Sequence, residues 1–179
     1  MIRAPKCSCG GQLRKVRVDT VELAPLFGLR GVLEGPVPGL RCDRCGEETF
    51  EGRTLDRMLV AVARAVLAQP RILAPEEARF LRKAVLGLTQ ERLSRRMGIN
   101  PITVADWERG ERPLSKEHDY ELRGIGVSTL FGRLGSTTPP HQTEALSQAM
   151  AAVLAAPRLL APPKRPTRYV ISAAELAAA

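Results

Sequence analysis

The chain is predicted to be an α+β protein in two parts. A small N-terminal, zinc-binding, β-rich domain is followed by an all-α helix-turn-helix domain and a partly disordered C-terminal tail. Three observations predict this. All four cysteines fall in two close pairs, Cys7/Cys9 and Cys42/Cys45, each followed by glycine. Residues 75–112 carry caps and apolar periodicity for helices joined by a three-residue turn. Residues 136–179 are rich in alanine and proline. The expected boundaries are 1–53 for the metal domain, 54–73 for a linking helix, 74–135 for the helix-turn-helix domain and 136–179 for the tail.

Thiolates two or three residues apart on a tight turn grip one ion from one side. A second such turn about thirty residues on closes a tetrahedral cage. Cys42-Asp43-Arg44-Cys45-Gly46 has the usual knuckle spacing, whereas Cys7-Ser8-Cys9-Gly10 is one residue short. Neither histidine lies near a cysteine pair, so one structural Zn²⁺ on Cys7, Cys9, Cys42 and Cys45 is expected. Lys6, Arg41 and Arg44 are placed to offset its negative charge. The other readings are reduced structural thiols, or a redox pair at Cys42/Cys45 in a thiol oxidoreductase. A redox C-x-x-C is expected near a βαβ pattern, and none is visible. No Ser/His/Asp or paired-carboxylate constellation supports hydrolysis, so no enzyme is expected. His118 and His141 are expected at the surface.

Within the first domain, Val16-Arg17-Val18-Asp19 alternates as a half-buried strand does. Gly28, Gly31, Gly35, Pro36, Pro38 and Gly39 break the chain into short turns and strands, and Leu40 leads into the second knuckle. So short a unit buries only a small core and needs a staple, which the metal supplies. Over 54–69, Leu55, Leu59, Val62 and Val66 mark one apolar helix face, with Thr54 as N-cap and Pro70 as terminator.

Pro75 opens the next helix, with Glu76 and Glu77 in its first turn, where negative charge suits the dipole. Ala78, Leu81, Val85 and Leu88 form its buried face. Thr89 caps a short helix from Gln90 to about Met97, and Gly98 suits a left-handed turn. Asn100 caps a third helix that opens with Pro101 and ends at Gly110. Leu93, Met97, Ile99, Val104 and Trp107 pack these helices together. Residues 114–135 add one or two helices, with Leu122, Ile125, Leu130, Phe131 and Leu134 closing the core. In the tail, Thr143–Leu154 is an Ala-rich helix candidate. Pro157, Pro162, Pro163 and Pro166 stop any continuation, and Arg168–Ile171 suits a short strand. Residues 65–75 recur in similar form at 152–162, through partial duplication or Ala/Leu bias.

The chain has 179 residues, enough for one or two domains, and 44% of them are apolar. Aromatics are only 4%, so Leu, Val and Ala build the core. The net charge of +8 suits a polyanionic partner, although a basic surface also serves solubility. No stretch is long and apolar enough to span a membrane, and Met1–Lys6 lacks the apolar run of a signal peptide. With cysteines free for metal, a reducing cytoplasm is expected.

Leu88–Asn100 followed by Val104–Gly110 resembles the phage-repressor/xenobiotic-response-element type of helix-turn-helix, which is lambda-repressor-like. With two Cys turns ahead of it, the chain over about residues 5–135 resembles the YgiT/MqsA-type zinc-finger antitoxins. Pro38–Glu47 matches that family's second knuckle. The resemblance implies a sequence-specific repressor that autoregulates its operon in a type II toxin-antitoxin system. It implies an N-terminal zinc domain holding an mRNA-cleaving ribonuclease toxin, and a homodimer on a palindromic operator in double-stranded DNA. A stand-alone zinc-finger/helix-turn-helix regulator without a toxin is the alternative. Two departures stand out. The first knuckle is C-x-C where the family has C-x-x-C. Ile102 and Asp106 also stand where the best-known member reads bases with Asn and Arg, so the operator sequence does not carry over.

In such a domain the third helix enters the major groove N-terminal end first. Asn100, Ile102, Thr103 and Asp106 would face the bases. Asn100 suits adenine, a phosphate or a plain cap, and Ile102 suits a thymine methyl. Asp106 suits cytosine N4 or a salt bridge to a nearby Arg. Gln90 suits a phosphate or a surface cap. Arg92, Arg95, Arg96 and Arg109 suit phosphates or plain solvation, and Trp107 suits the core.

Overall fold

The computed structural model describes residues 6–134 and 167–177, together with Ala151 and Ala161. β1 (Leu13–Glu22) and β2 (Gly31–Cys42) form a long antiparallel hairpin, with Leu13 opposite Cys42 and Glu22 opposite Val32. The strand expected at Val16–Asp19 lies inside β1. Val18 and Val21 are buried while Arg17 and Asp19 are exposed, and the register shift between Val18 and Thr20 accommodates their odd spacing. A short helix, α1 (Leu23–Phe27), sits between the two strands.

The second edge of β2 is paired at its two ends. β3 (Glu48–Thr49) pairs with Leu40–Arg41, and β4 (Tyr169–Ile171) runs parallel to Gly31–Leu33. Pro36 and Pro38 fall between these ends. There the missing N–H of proline costs no ladder bond. The strand expected at Arg168–Ile171 is therefore present, and it belongs to the N-terminal sheet.

α2 (Gly52–Leu67) lies against β2 and β4. Its N-cap is Glu51, not Thr54. Glu51 is the last extended residue, and its carbonyl already accepts the first helical bond from Leu55 N at 3.0 Å. The buried face is wider than the expected stripe, taking in every residue from Met58 to Ala63. The sheet, α6 and the end of α3 all pack on α2.

α3 (Pro75–Phe80) runs on into a π-helical turn, Leu81–Val85. α4 (Gln90–Arg96), α5 (Pro101–Arg109) and α6 (Lys116–Leu134) follow. The caps are as read from sequence. Thr89 accepts from Arg92 N, Asn100 accepts from Ile102 N, and Gly98 and Gly110 take φ of +65° and +77°. Leu93, Val104, Trp107, Leu122 and Leu130 are each no more than 2% exposed. Residues 116–134 form one helix despite Gly124, Gly126 and Gly132, because packing against α2 and the π turn outweighs their poor propensity.

α7 (Ala173–Ala177) follows β4 and packs on α2 and β2. Buried apolar residues of the sheet, α2, the helix-turn-helix and residues 169–176 form one contiguous core. The expected helix at Thr143–Leu154 (Ala151 apart, which is helical and exposed), the four prolines after it, the second copy of the repeat (Ala161 apart), Gly135 and His141 fall outside the described residues.

Candidate metal centre and nucleic-acid interface

Two tight turns build the thiol cluster. In the first, Cys7 N donates to Gly11 O and Gly10 N to Cys7 O, both at 2.9 Å. In the second, Cys42 N donates to Glu47 O at 2.9 Å and Gly46 N to Cys42 O at 3.1 Å. The turns are stitched together by Asp43 N to Gln12 O at 3.0 Å and Gln12 N to Asp43 Oδ1 at 2.9 Å. Gly11 lies at the seam. A Cβ there would stand 2.5 Å from Cys42 Sγ and 2.8 Å from Arg44 Cβ, so only glycine admits this approach.

The four sulfurs lie within 4.8 Å of one another. Cys7 faces Cys45 at 3.6 Å and Cys9 faces Cys42 at 3.5 Å, across the seam. Four thiolates about 2.3 Å from one ion stand about 3.8 Å apart, so the donor set fits a tetrahedral metal. The C-x-C turn thus brings both its sulfurs to the cluster despite its missing residue.

The electrostatics call for a cation. Backbone N–H groups of Cys45 and Arg44 lower the Cys42 pKa to about 6, which favours its thiolate form. Cys45 receives the N–H of Glu47, which lowers its pKa. Crowding by Cys42 and Cys9 prevails and pushes it up to about 12. One thiolate therefore opposes the next unless a positive ion sits among them. Arg44 donates to Cys9 O at 2.9 Å, whereas Arg41 is paired with Glu48 at 2.5 Å. Lys6 bridges to Gln12.

In the helical part of the chain, α4 and α5 meet across the Met97–Asn100 turn. Ile102 is 66% exposed, a large apolar side chain left in water at the first turn of α5. Thr103 is half-buried beside it. Asn100 Oδ1 is occupied by Ile102 N at 2.9 Å, which leaves its amide group to donate outward. Asp106 takes the salt-bridge alternative, accepting from Arg109 at 2.5 Å, and Arg109 also donates to Glu111 at 2.7 and 2.8 Å. Arg109 is thus already neutralised. Arg95 pairs with Glu91 at 3.1 Å. Arg92 and Arg96 are exposed and, among the described residues, carry no carboxylate partner.

Gln90 donates to Glu108 Oε2 at 2.8 Å rather than standing free. Glu108 is buried and also takes both branches of Arg82, at 2.5 and 2.9 Å. Burial raises the Glu108 pKa, but the bonds from Arg82 and Gln90 prevail and hold it below the usual carboxylate range. Around this pair lies an open hollow of about 470 Å³, lined by Arg79, Arg82, Lys83, Thr89 and Gln90. Thr89 and Gln90, at the start of α4, form part of its wall. Trp107 is core, and His118 is half-buried against it with ring centroids 5.1 Å apart.

Sequence reasoning missed three ion pairs built on buried carboxylates. Arg82 and Glu108 form one pair. Arg123 and Asp119 form another, 2% and 0% exposed. Arg123 donates to Leu67 O, Gln69 O and Arg71 O while Asp119 accepts from Leu73 N, so together they satisfy the turn after α2. Glu77 lies in the first turn of α3 as expected, but it is fully buried and takes two bonds from Arg71 at 2.6 and 2.8 Å. The i,i+4 spacing of Asp119 and Arg123 was the one visible signal.

Residues 79–118 match the helix-turn-helix family. That stretch runs from the end of α3 to the first turn of α6, and the match supports a DNA-binding transcription regulator. No curated protein matches the chain, and no solved structure does. No described helix is long and apolar enough to cross a membrane.

Proposed function

We propose that this chain is a sequence-specific transcriptional repressor of the cytoplasm that binds a palindromic operator as a homodimer. One structural Zn²⁺ on Cys7, Cys9, Cys42 and Cys45 closes its N-terminal unit. The chain serves as an antitoxin that represses its own operon and holds a small ribonuclease toxin. The helix-turn-helix match over 79–118 carries the repressor reading. The resemblance of Pro38–Glu47 to the zinc-finger antitoxins supports the toxin partner.

In this reading α5 lies in the major groove. Ile102 meets a thymine methyl, Thr103 lies beside it, and the free amide group of Asn100 donates to adenine or a phosphate. Arg92 and Arg96, without carboxylate partners among the described residues, hold phosphates. Gln90 keeps one amide hydrogen for a phosphate while the other stays on Glu108. Asp106 positions Arg109 rather than reading a base, and Arg109 reaches a phosphate only by leaving Glu111. The zinc supplies folding energy and no chemistry, because four thiolates leave no open position.

The test expresses the chain with its neighbouring reading frame, measures zinc, and titrates operator DNA at several salt concentrations. One zinc per chain, a co-purifying small partner and affinity falling steeply with salt are expected. Failure to bind the upstream DNA at low salt would sink the repressor reading. Binding with no partner retained would remove the antitoxin role alone. A chain without zinc but with a reversible Cys42–Cys45 disulfide would overturn the metal site.

A further inference from the structure

The eleven residues 167–177 sit on the sheet in an unusual way. β4 is the sole parallel strand among the described residues, only three residues long, on a sheet whose β1–β2 ladder is complete without it. Its hold comes from a few anchors. Tyr169, Ile171 and Leu176 are buried at 5%, 1% and 7%, while Val170 between the first two is 56% exposed. Ser172 and Glu175 close a capping box that starts α7, with Ser172 N donating to Glu175 Oε2 at 2.8 Å and Glu175 N to Ser172 Oγ at 3.3 Å.

The seat is shaped for this segment at both ends. Gly31 has φ +145°, and a Cβ there would stand 2.2 Å from Tyr169 O, so a side chain would shut the groove. At the polar end, the Tyr169 hydroxyl donates to Glu77 Oε1, and Thr167 Oγ1 accepts from Arg71 at 2.5 Å. Glu77 also accepts Ala74 N at 2.8 Å, so the same carboxylate starts α3, the first helix before the recognition pair.

We propose that this groove, made by the Gly31–Leu33 edge of β2, the side of α2 and the Arg71–Glu77 pair, is a peptide-binding site. The chain's own residues 167–177 are its exchangeable ligand, held in cis. The site takes an extended peptide by strand addition, with a tyrosine whose hydroxyl reaches Glu77 and an aliphatic residue two positions later. Because Glu77 joins the ligand to α3, an occupied groove adds a polar tie between the sheet and the start of α3, beside the packing of both on α2. The site stands apart from the DNA-binding reading and does not rest on it.

The test keeps the full chain. A specific protease sequence placed within 135–166 is cut once, so that residues 167–179 stay only by non-covalent contacts. The cut piece should co-elute with the remainder in gel filtration. A tenfold excess of a fluorescent peptide of residues 166–179 should displace it. The same peptide with Tyr169→Phe should compete about tenfold more weakly or worse, the loss of a bond to a buried carboxylate. A piece that leaves on cutting while the remainder stays folded would overturn the binding site. A piece that stays but never exchanges would make β4 an integral strand and overturn exchangeability.

Gly31→Ala in the uncut chain provides a second reading by hydrogen exchange. Residues 167–177 should lose protection while α4 and α5 keep theirs. Loss of protection throughout the β1–β2 hairpin would also count against a separable ligand.

Discussion

The cysteine knuckles and the α4–α5 turn of this molecule are held in different ways. The second knuckle, residues 43–49, is exposed at every position, and Cys42 is the one buried side chain beside it. The turn between α4 and α5 is as short, but Leu93, Met97 and Val104 are buried around it. One turn has sulfur where the other has apolar packing. A turn without buried carbon needs another source of folding energy, and four converging thiolates can draw it from one ion. A turn inside a core needs only caps and shape.

Removing the staple should break this contrast most severely. Chelation, or Cys42→Ser, should abolish hydrogen-exchange protection in residues 6–12 and 42–49. The helical circular dichroism of residues 75–134 should persist. Simultaneous loss of both would mean that the core is too continuous for the two regions to differ.

The opposite experiment empties the helical core. Trp107→Ala should cost about 3–5 kcal/mol, read as a lowered denaturant midpoint. Metal binding by the four cysteines should be unchanged.

Next comes Glu108→Ala, which strands Arg82 in a buried site and should cost about 3 kcal/mol. Glu108→Leu would show how much of that is the uncompensated charge if Arg82→Met accompanies it, since an apolar replacement of the pair is often nearly neutral.

A smaller effect follows from pH. The Glu108 pKa is lowered on folding, by its bonds to Arg82 and Gln90 against the cost of burial. Its stabilisation is therefore complete above the unfolded value of about 4.3 and declines as pH falls below that. Thermal unfolding of the helix-turn-helix unit between about pH 5 and pH 3 should show this decline, and Glu108→Gln should flatten it. An equal slope in the variant would place the acid sensitivity elsewhere.

The smallest change concerns the surface. Arg92→Ala should leave the melting temperature untouched while reducing the salt slope of DNA binding by about 1. An unchanged slope would remove Arg92 from the docking face and shift attention to Arg96 and the basic hollow beside Gln90.

These contrasts mirror what could be read from residue order. Thr89, Gly98, Asn100, Pro101 and Gly110 announce their roles because a cap acts on backbone groups two or three residues away. The cysteine turns are legible for the same reason, and two such turns imply a common ion. The N-terminus of α2 was misplaced because Thr54 looks like a better cap than Glu51. The chain leaves extended geometry at Glu51, so the helix begins there regardless of cap chemistry. Residue order points Gln90 to a phosphate or a surface cap because its acceptor, Glu108, lies 18 residues on and leaves no local signal.

The sequence by itself determined the local events: where helices start and stop, which turns carry sulfur, and the helix-turn-helix spacing. Only the tertiary structure decided the long-range partnerships. Arg82 meets Glu108 across 26 residues, Arg123 closes the end of α2 across 56, and Tyr169 reaches Glu77 across 92. Periodicity and capping describe a residue's nearest turns. A buried charge or an added strand depends on which distant surface the completed core brings alongside.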